Sequence, residues 1–183
     1  MSQKKSHKKL HRAALIASIS LVGSSLVAPA FASAQNLPKA DILDLSLENG
    51  TISNSASDAA PLNIGAPTVE QDSVLERPVA HFDGRKDAVG FDIGDKFDQI
   101  KDGFTVECVF RYDGEFDGNE KSLCANKEAG GWAMVIYGDQ LTFTVNGSDG
   151  YKKAQQQVEP GQWYHAVGVY DGTKSELYVN GAK

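Results

Sequence analysis

Trp163-Tyr164-His165-Ala166-Val167-Gly168-Val169-Tyr170-Asp171-Gly172, followed by Glu176-Leu177-Tyr178-Val179-Asn180-Gly181, is the most informative stretch of this 183-residue chain. Trp163, His165, Val167 and Val169 recur at every second position, the period of an extended strand with two distinct faces. Asp171-Gly172 and Asn180-Gly181 supply the positive φ that tight turns require. The stretch therefore reads as two short strands, 163–171 and 176–180.

The same grammar runs upstream. Segment 104–112 alternates most clearly, with Phe104, Val106, Cys108 and Phe110 on one face and Thr105, Glu107 and Arg111 on the other. Further strands are expected at 42–47, 62–64, 79–82, 88–91, 122–126, 132–137, 141–146 and 151–156. Gly, Asp and Asn separate them, as at Gly138-Asp139 and Asn146-Gly147. Residues 51–61 read as a loop. The only helical signal is one turn near 95–102, where Phe97 and Ile100 are spaced i, i+3. An all-β chain of short strands folds as a sandwich or a barrel.

Residues 1–34 have a different character. Lys4, Lys5, Lys8, Lys9 and Arg12 precede an apolar stretch from Ala13 to Val27, which ends in Ala30-Phe31-Ala32-Ser33-Ala34. A basic, apolar and small-x-small order is that of a secretory signal peptide, cut before Gln35 or Ser33. Serines and Gly23 interrupt the apolar stretch, which weakens the competing reading of a membrane anchor. No Cys follows it to take a lipid and no Arg-Arg pair marks twin-arginine export. The expected organisation is a signal peptide at 1–34 and one domain at 35–183, with a secreted or cell-surface location.

Residues 1–34 hold five of the 18 Lys and Arg and none of the 24 acids, so the remaining chain carries −11 against −6 for the whole. Such a surface repels nucleic acid, and anionic membranes too, so neither nucleic acid nor stable membrane insertion after signal cleavage is expected. It suits neutral glycans and divalent cations, and also simply keeps an exported domain soluble. Export favours a disulfide between Cys108 and Cys124, read as lying on neighbouring strands; two buried thiols are the other reading.

The stretch 163–181 resembles the laminin G-like group of concanavalin A-like lectin/glucanase domains. Leu45 to Gly50, Ala80-His81-Phe82-Asp83-Gly84, Phe104-Thr105-Val106-Glu107 and Gly131-Trp132-Ala133-Met134-Val135 resemble successive steps of the same pattern, in order. The resemblance implies a jelly-roll β-sandwich of two antiparallel sheets, with Trp132 and Trp163 in its core. It also implies that the pattern is unfinished at Lys183, with C-terminal strands missing and the chain a fragment of a longer exported protein. Strand 176–180 would then keep an unpaired edge.

Asp113-Gly114-Glu115-Phe116-Asp117-Gly118-Asn119-Glu120 admits three readings. Asp113, Glu115 and Asp117 echo a calcium loop, which makes calcium the one cofactor suggested, although Cys124 stands where the closing Glu belongs. Glu115-x-Asp117-x-x-Glu120 has the spacing of the acid motif in laminarinase-type glucanases on the fold implied, where two carboxylates must be held ~5–5.5 Å apart for retention. Gly118 and Asn119 break the strand that such a motif needs. The third reading is a solvated acidic loop. Asp44, Asp83 and Asp171 occupy turns where related jelly rolls sometimes hold calcium, and equally serve as turn residues.

His81 and His165 lack a Ser or Cys partner in a nucleophile context, so no triad is indicated. Among the aromatic residues, Tyr137 and Tyr151 stand close to Asp139, Asn146 and Asp149, and these five form the expected glycan-contacting rim. Asn49 and Asn146 head Asn-x-Ser/Thr triplets, which matter only in a eukaryotic host. The resulting expectation is a secreted binding module for carbohydrate or an extracellular protein, without catalytic residues. An N-terminal accessory module of a larger secreted hydrolase, and a structural or adhesion segment, are the alternatives.

Overall fold

A computed structural model of the chain describes residues 13–16 (backbone only), 40–94, 100, 102–126, 131–147 and 149–183. Among these, fourteen strands follow one another in chain order. They are β1 (Ala13–Ile16), β2 (Leu45–Ser46), β3 (Ser53–Asn54), β4 (Pro61–Ile64), β5 (Thr68–Asp72), β6 (Arg77–Phe82) and β7 (Ala88–Phe91). They continue as β8 (Phe104–Tyr112), β9 (Lys121–Asn126), β10 (Trp132–Tyr137), β11 (Gln140–Gly147), β12 (Gly150–Gln157), β13 (Trp163–Tyr170) and β14 (Ser175–Val179).

The alternating strand Phe104–Tyr112 organises the larger sheet. It pairs antiparallel with β13 without interruption, from Trp163 opposite Arg111 to Tyr170 opposite Phe104. The six-stranded order is β14-β13-β8-β1-β6-β5, and β12-β11-β10-β9 form a four-stranded antiparallel sheet. Strand pairs β2-β3 and β4-β7 stand apart as two small ribbons. The two main sheets face one another as a jelly-roll β-sandwich, as the sequence pattern implies.

Inward residues of both sheets make the core. Phe110, Met134, Leu141, Phe143 and Ala166 have no exposure at all. Phe104 meets Trp132, Tyr170 and Phe143 with ring centroids 5.6, 5.8 and 6.0 Å apart. These tilted and edge-on contacts suit the ring quadrupoles. The sheets approach so closely at Gly168 that a Cβ there would lie 2.7 Å from the Phe143 ring. Along one side, Gln156 Nε2 of β12 donates to Leu177 O of β14 at 3.0 Å, and Ser175 Oγ donates to Lys152 O at 3.3 Å. The four-stranded sheet thus supplies partners to β14, the edge strand expected to be bare.

Several expectations need correction. Strand 42–47 shrinks to Leu45–Ser46, and the loop 51–61 contains its partner Ser53–Asn54. Thr68–Asp72 is a strand that the sequence reading missed. Trp163 does not join the main core. With Leu75 it packs on a second cluster, Val79 and Val109, on the opposite face of the six-stranded sheet. Most of the proposed helical turn at 95–102 and nearly all of the expected signal peptide at 1–34 lie outside the described residues.

Cys108 and Cys124 are not on neighbouring strands. β8 belongs to the larger sheet and β9 to the smaller, so the two residues meet across the core. Both are free thiols here, so the expected bridge is not formed. Cys108 Sγ lies 3.4 Å from Met134 Sδ, and Met134 pairs in register with Cys124. A bulge between Met134 and Val135 shifts the β9 register, and both Leu123 and Cys124 pack on the core. The Cys124 sulfur, followed by burial, pushes the Cys108 thiol well above its ordinary range.

Candidate functional site

Alternation in β10 and β11 divides their side chains. Met134, Ile136, Leu141, Phe143 and Val145 belong to the core cluster. Ala133, Val135, Thr142, Thr144 and Asn146 occupy the intervening positions and share the outer face. On that face lies a cavity of about 260 Å³, lined by Glu120, Gly131, Trp132, Ala133, Val135, Thr144, Asn146 and Tyr151. Ala133 and Val135 are buried beneath it. Gln155 Nε2 donates to Thr142 Oγ1 at 2.9 Å, which orders the neighbouring part of the same face.

Asn146 and Tyr151 are directly opposed across β11 and β12. Tyr151 is 74% exposed, an unusual setting for a ring of that size. The pair sets an open aromatic face beside an amide at the cavity mouth. Trp132 contributes from its place against the core, and its Nε1 is buried without a hydrogen-bond partner among the described residues.

The five expected rim residues divide into two groups. Asn146, Asp149 and Tyr151 gather at the β11–β12 turn, where Lys152 Nζ lies 2.7 Å from Asp149 Oδ2. That hydrogen bond holds the Asp149 carboxyl below its usual range. Tyr137 and Asp139 lie at the β10–β11 turn, the other end of β11. Tyr137 pairs with Gln140, five residues before Val145 pairs with Trp132, so the two ends stand roughly 17 Å apart. Tyr137 is exposed there, and Asp139 accepts from Gln140 Nε2 at 3.1 Å and Gln157 Nε2 at 2.8 Å. Asp139 is thus a turn residue rather than part of the cavity.

Glu120, Thr144, Ala133, Val135 and Gly131 are cavity residues that the sequence reading did not assign to a binding rim. Thr144 was within reach of sequence, because it stands two positions before Asn146 and so shares its face. Glu120 comes from the irregular segment before β9, and only the tertiary fold brings it to this face.

The acidic segment 113–120 contains no strand. Arg111 Nε and Nη2 donate to the two Asp113 oxygens at 2.8 and 3.1 Å. Lys121 Nζ donates to Asp117 Oδ2 at 2.9 Å; that bond, and then Asn119, hold the Asp117 carboxyl far below its ordinary value. Tyr112 donates its hydroxyl to Glu115 O at 2.8 Å while its ring stacks on Phe116. A Cβ on Gly114 would overlap the Tyr112 hydroxyl, so the loop needs glycine there. Asp113, Glu115 and Asp117, the three acids of the calcium reading, are placed on this irregular segment. Two of the three are engaged by the chain's own cations, and among the described residues no group of three His, Cys, Asp or Glu could hold a metal ion.

The other turn acids also have local duties. Asp83 Oδ1 accepts from the amides of Arg85, Lys86 and Asp87 at 2.9, 2.9 and 3.0 Å. Asp171 Oδ1 accepts from Thr173 and Lys174 at 2.9 Å each. Those amides lower both carboxyls, with Lys86 and Lys174 the largest contributors. Asp44 binds Ser55 through its carboxylate and its carbonyl. His165 Nε2 lies 2.7 Å from Glu107 Oε1 on the outer face of the larger sheet.

Two antiparallel sheets, an inward aromatic core and a cavity with a half-polar rim define a lectin-like module. The chain belongs to the Concanavalin A-like lectin/glucanases superfamily, whose laminin G-type model matches residues 83–183. Such modules commonly bind carbohydrate or protein. Among solved structures it is similar to the "Crystal structure of HCR/D-Sa-GBL1/C", with a TM-score of 0.58 and 12% identity over 77% of this chain. The match spans 37% of that longer chain, and at this identity the likeness is one of fold. No curated protein matches the chain.

Proposed function

We propose that this chain is a secreted binding module that takes carbohydrate in the cavity on the outer face of its four-stranded sheet. The observation that carries the reading is the direct opposition of exposed Tyr151 and Asn146 at the mouth of that cavity. A sugar ring lays its C–H face on the phenol ring, and Asn146, Thr144 and Glu120 meet its hydroxyls. This is the combination of one apolar platform and a few placed polar groups that small-ligand sites use. The net charge of −11 outside residues 1–34 turns away anionic polymers and leaves neutral glycans as the fitting class. Export rests on the basic, apolar and small-x-small order of residues 1–34. The reading gives the protein no catalytic role: the Glu115, Asp117 and Glu120 segment is an irregular loop, with Asp117 engaged by Lys121.

A glycan array probed with the purified chain tests this reading. Binding to neutral oligosaccharides that survives a calcium chelator is the expected result. An array without a single hit refutes it.

A further inference from the structure

The sheet order β14-β13-β8-β1-β6-β5 places four N-terminal residues, Ala13–Ile16, in the middle of the larger sheet. Their backbone pairs antiparallel on both sides. Ala13, Ala14 and Leu15 stand opposite Phe82, His81 and Ala80 of β6. The same residues and Ile16 stand opposite Tyr112, Arg111, Phe110 and Val109 of β8. At least 23 residues separate this strand from Ala40, where the described chain resumes. Every other strand of that sheet belongs to the continuous stretch from Thr68 to Val179.

We infer that the gap between β6 and β8 is a strand-acceptor site, which binds an extended, uncharged, apolar peptide by pairing its backbone along both edges. In this chain Ala13–Ile16 is its occupant in cis; once that segment is gone, a peptide of the same pattern binds in trans. The inference concerns the larger sheet and holds whether or not the cavity on the smaller sheet binds glycan.

The walls of the gap specify the guest. The Phe82–Tyr112 and Ala80–Phe110 rows flank the main core, where Phe110 and Tyr112 are buried, so guest residues at those rows must be apolar. The Val79–Val109 row is buried on the opposite face, which excludes a charge there too. Two unpaired edges flanking a central gap leave backbone N–H and C=O groups without partners, and an added strand satisfies them. The walls also have a tie besides the guest. Arg111 of β8 binds Asp72, the last residue of β5, at 3.1 Å, and Leu75 joins Val79 to Val109 and Trp163.

Amide hydrogen exchange on the full 183-residue chain, made without processing, tests the inference. In the wild type, amides of residues 79–82 and 109–112 should exchange slowly. Leu15→Pro removes a backbone donor and the extended pairing, and should speed their exchange about tenfold or more. An excess of a synthetic peptide of residues 10–19 should restore the protection, and the same peptide carrying Leu15→Pro should not. Amides of residues 132–137 and 141–147 report on the smaller sheet. If Leu15→Pro opens both sheets and the peptide closes both, the site is confirmed as part of the fold. Unchanged exchange at 79–82 and 109–112 in Leu15→Pro overturns the inference, as does a peptide that restores nothing.

Discussion

Arg111 Nη1 donates to Asp72 Oδ2 at 3.1 Å although β1 and β6 lie between their strands in the sheet order. The turn from β5 to β6 therefore folds over the outer face and carries Leu75 onto Val79, Val109 and Trp163. The same guanidinium grips Asp113 and lies 4.9 Å from the centre of the Trp163 ring. Those carboxylates, Asp113 first, raise its pKa further, so it stays charged throughout the working range.

Asp72 is nearly buried and keeps amide donors from Val74 and Leu75, each at 2.9 Å. Arg111→Ala leaves that carboxylate without its cation and uncovers Trp163. Loss of a partner from a buried pair costs ~3–5 kcal/mol, and the two remaining amides and the partial exposure of Arg111 reduce this to about 2–3 kcal/mol. Arg111→Lys keeps the charge without the fork and should fall between the two. Urea unfolding of the three proteins measures it.

Gly168 lies where the sheets touch. Gly168→Ala places a methyl 2.7 Å from the Phe143 ring, which must shift against a fully packed core. Overpacking of this kind costs about 1–3 kcal/mol. The midpoint of thermal unfolding should fall, whereas Gly138→Ala, in a turn with open space, should be limited to the strain of its positive φ.

Lys174, Lys183 and Tyr178 all donate to Glu176, which lowers its carboxyl to about 2 from an ordinary 4.5. A depressed folded value means the stabilisation is complete above the ordinary value and is lost as pH falls toward the folded one. The wild type should therefore be more stable than Glu176→Gln at pH 6, and the gap should close between pH 4.5 and 2. Thermal melts across that range check the sign and the window.

Cys108 and Cys124 face each other across the core, so one bridge would join the two sheets. Thiol–disulfide exchange with oxidised glutathione should yield a chain 2 Da lighter, with two equivalents of reduced glutathione released. The closed loop should stabilise the fold by about 3 kcal/mol in the chain-entropy model. Two thiols that still react with maleimide after oxidation and unfolding would contradict this.

The legible part of the fold was the part with strong alternation. Phe104–Tyr112 and Trp132–Tyr137 end where their sequence patterns end, because both strands lie within a sheet with one face on the core. Thr68–Asp72 carried only Val69 as an apolar signal, and as the edge strand beyond β6 it needs no more. Trp163 was misplaced because period two tells which residues share a face but not which face meets the other sheet. The five rim residues are split by strand direction. Tyr137 precedes one turn and Asn146 the next, so they stand at opposite ends of the β10–β11 hairpin. The strand count held that information, but nearness in sequence obscured it. The place of Glu120 beside Thr144 depends on how segment 113–120 crosses between sheets, which no local pattern encodes.

The most direct test compares neutral-glycan binding by the wild type, Tyr151→Ala and Tyr137→Ala on one array, followed by titration of the best hit. Both tyrosines are exposed, and they stand at opposite ends of the same sheet. The account predicts that Tyr151→Ala weakens binding about tenfold or more, the equivalent of ~1.4 kcal/mol, while Tyr137→Ala binds as the wild type does. A wild type that binds no glycan, or a loss confined to Tyr137→Ala, would contradict it.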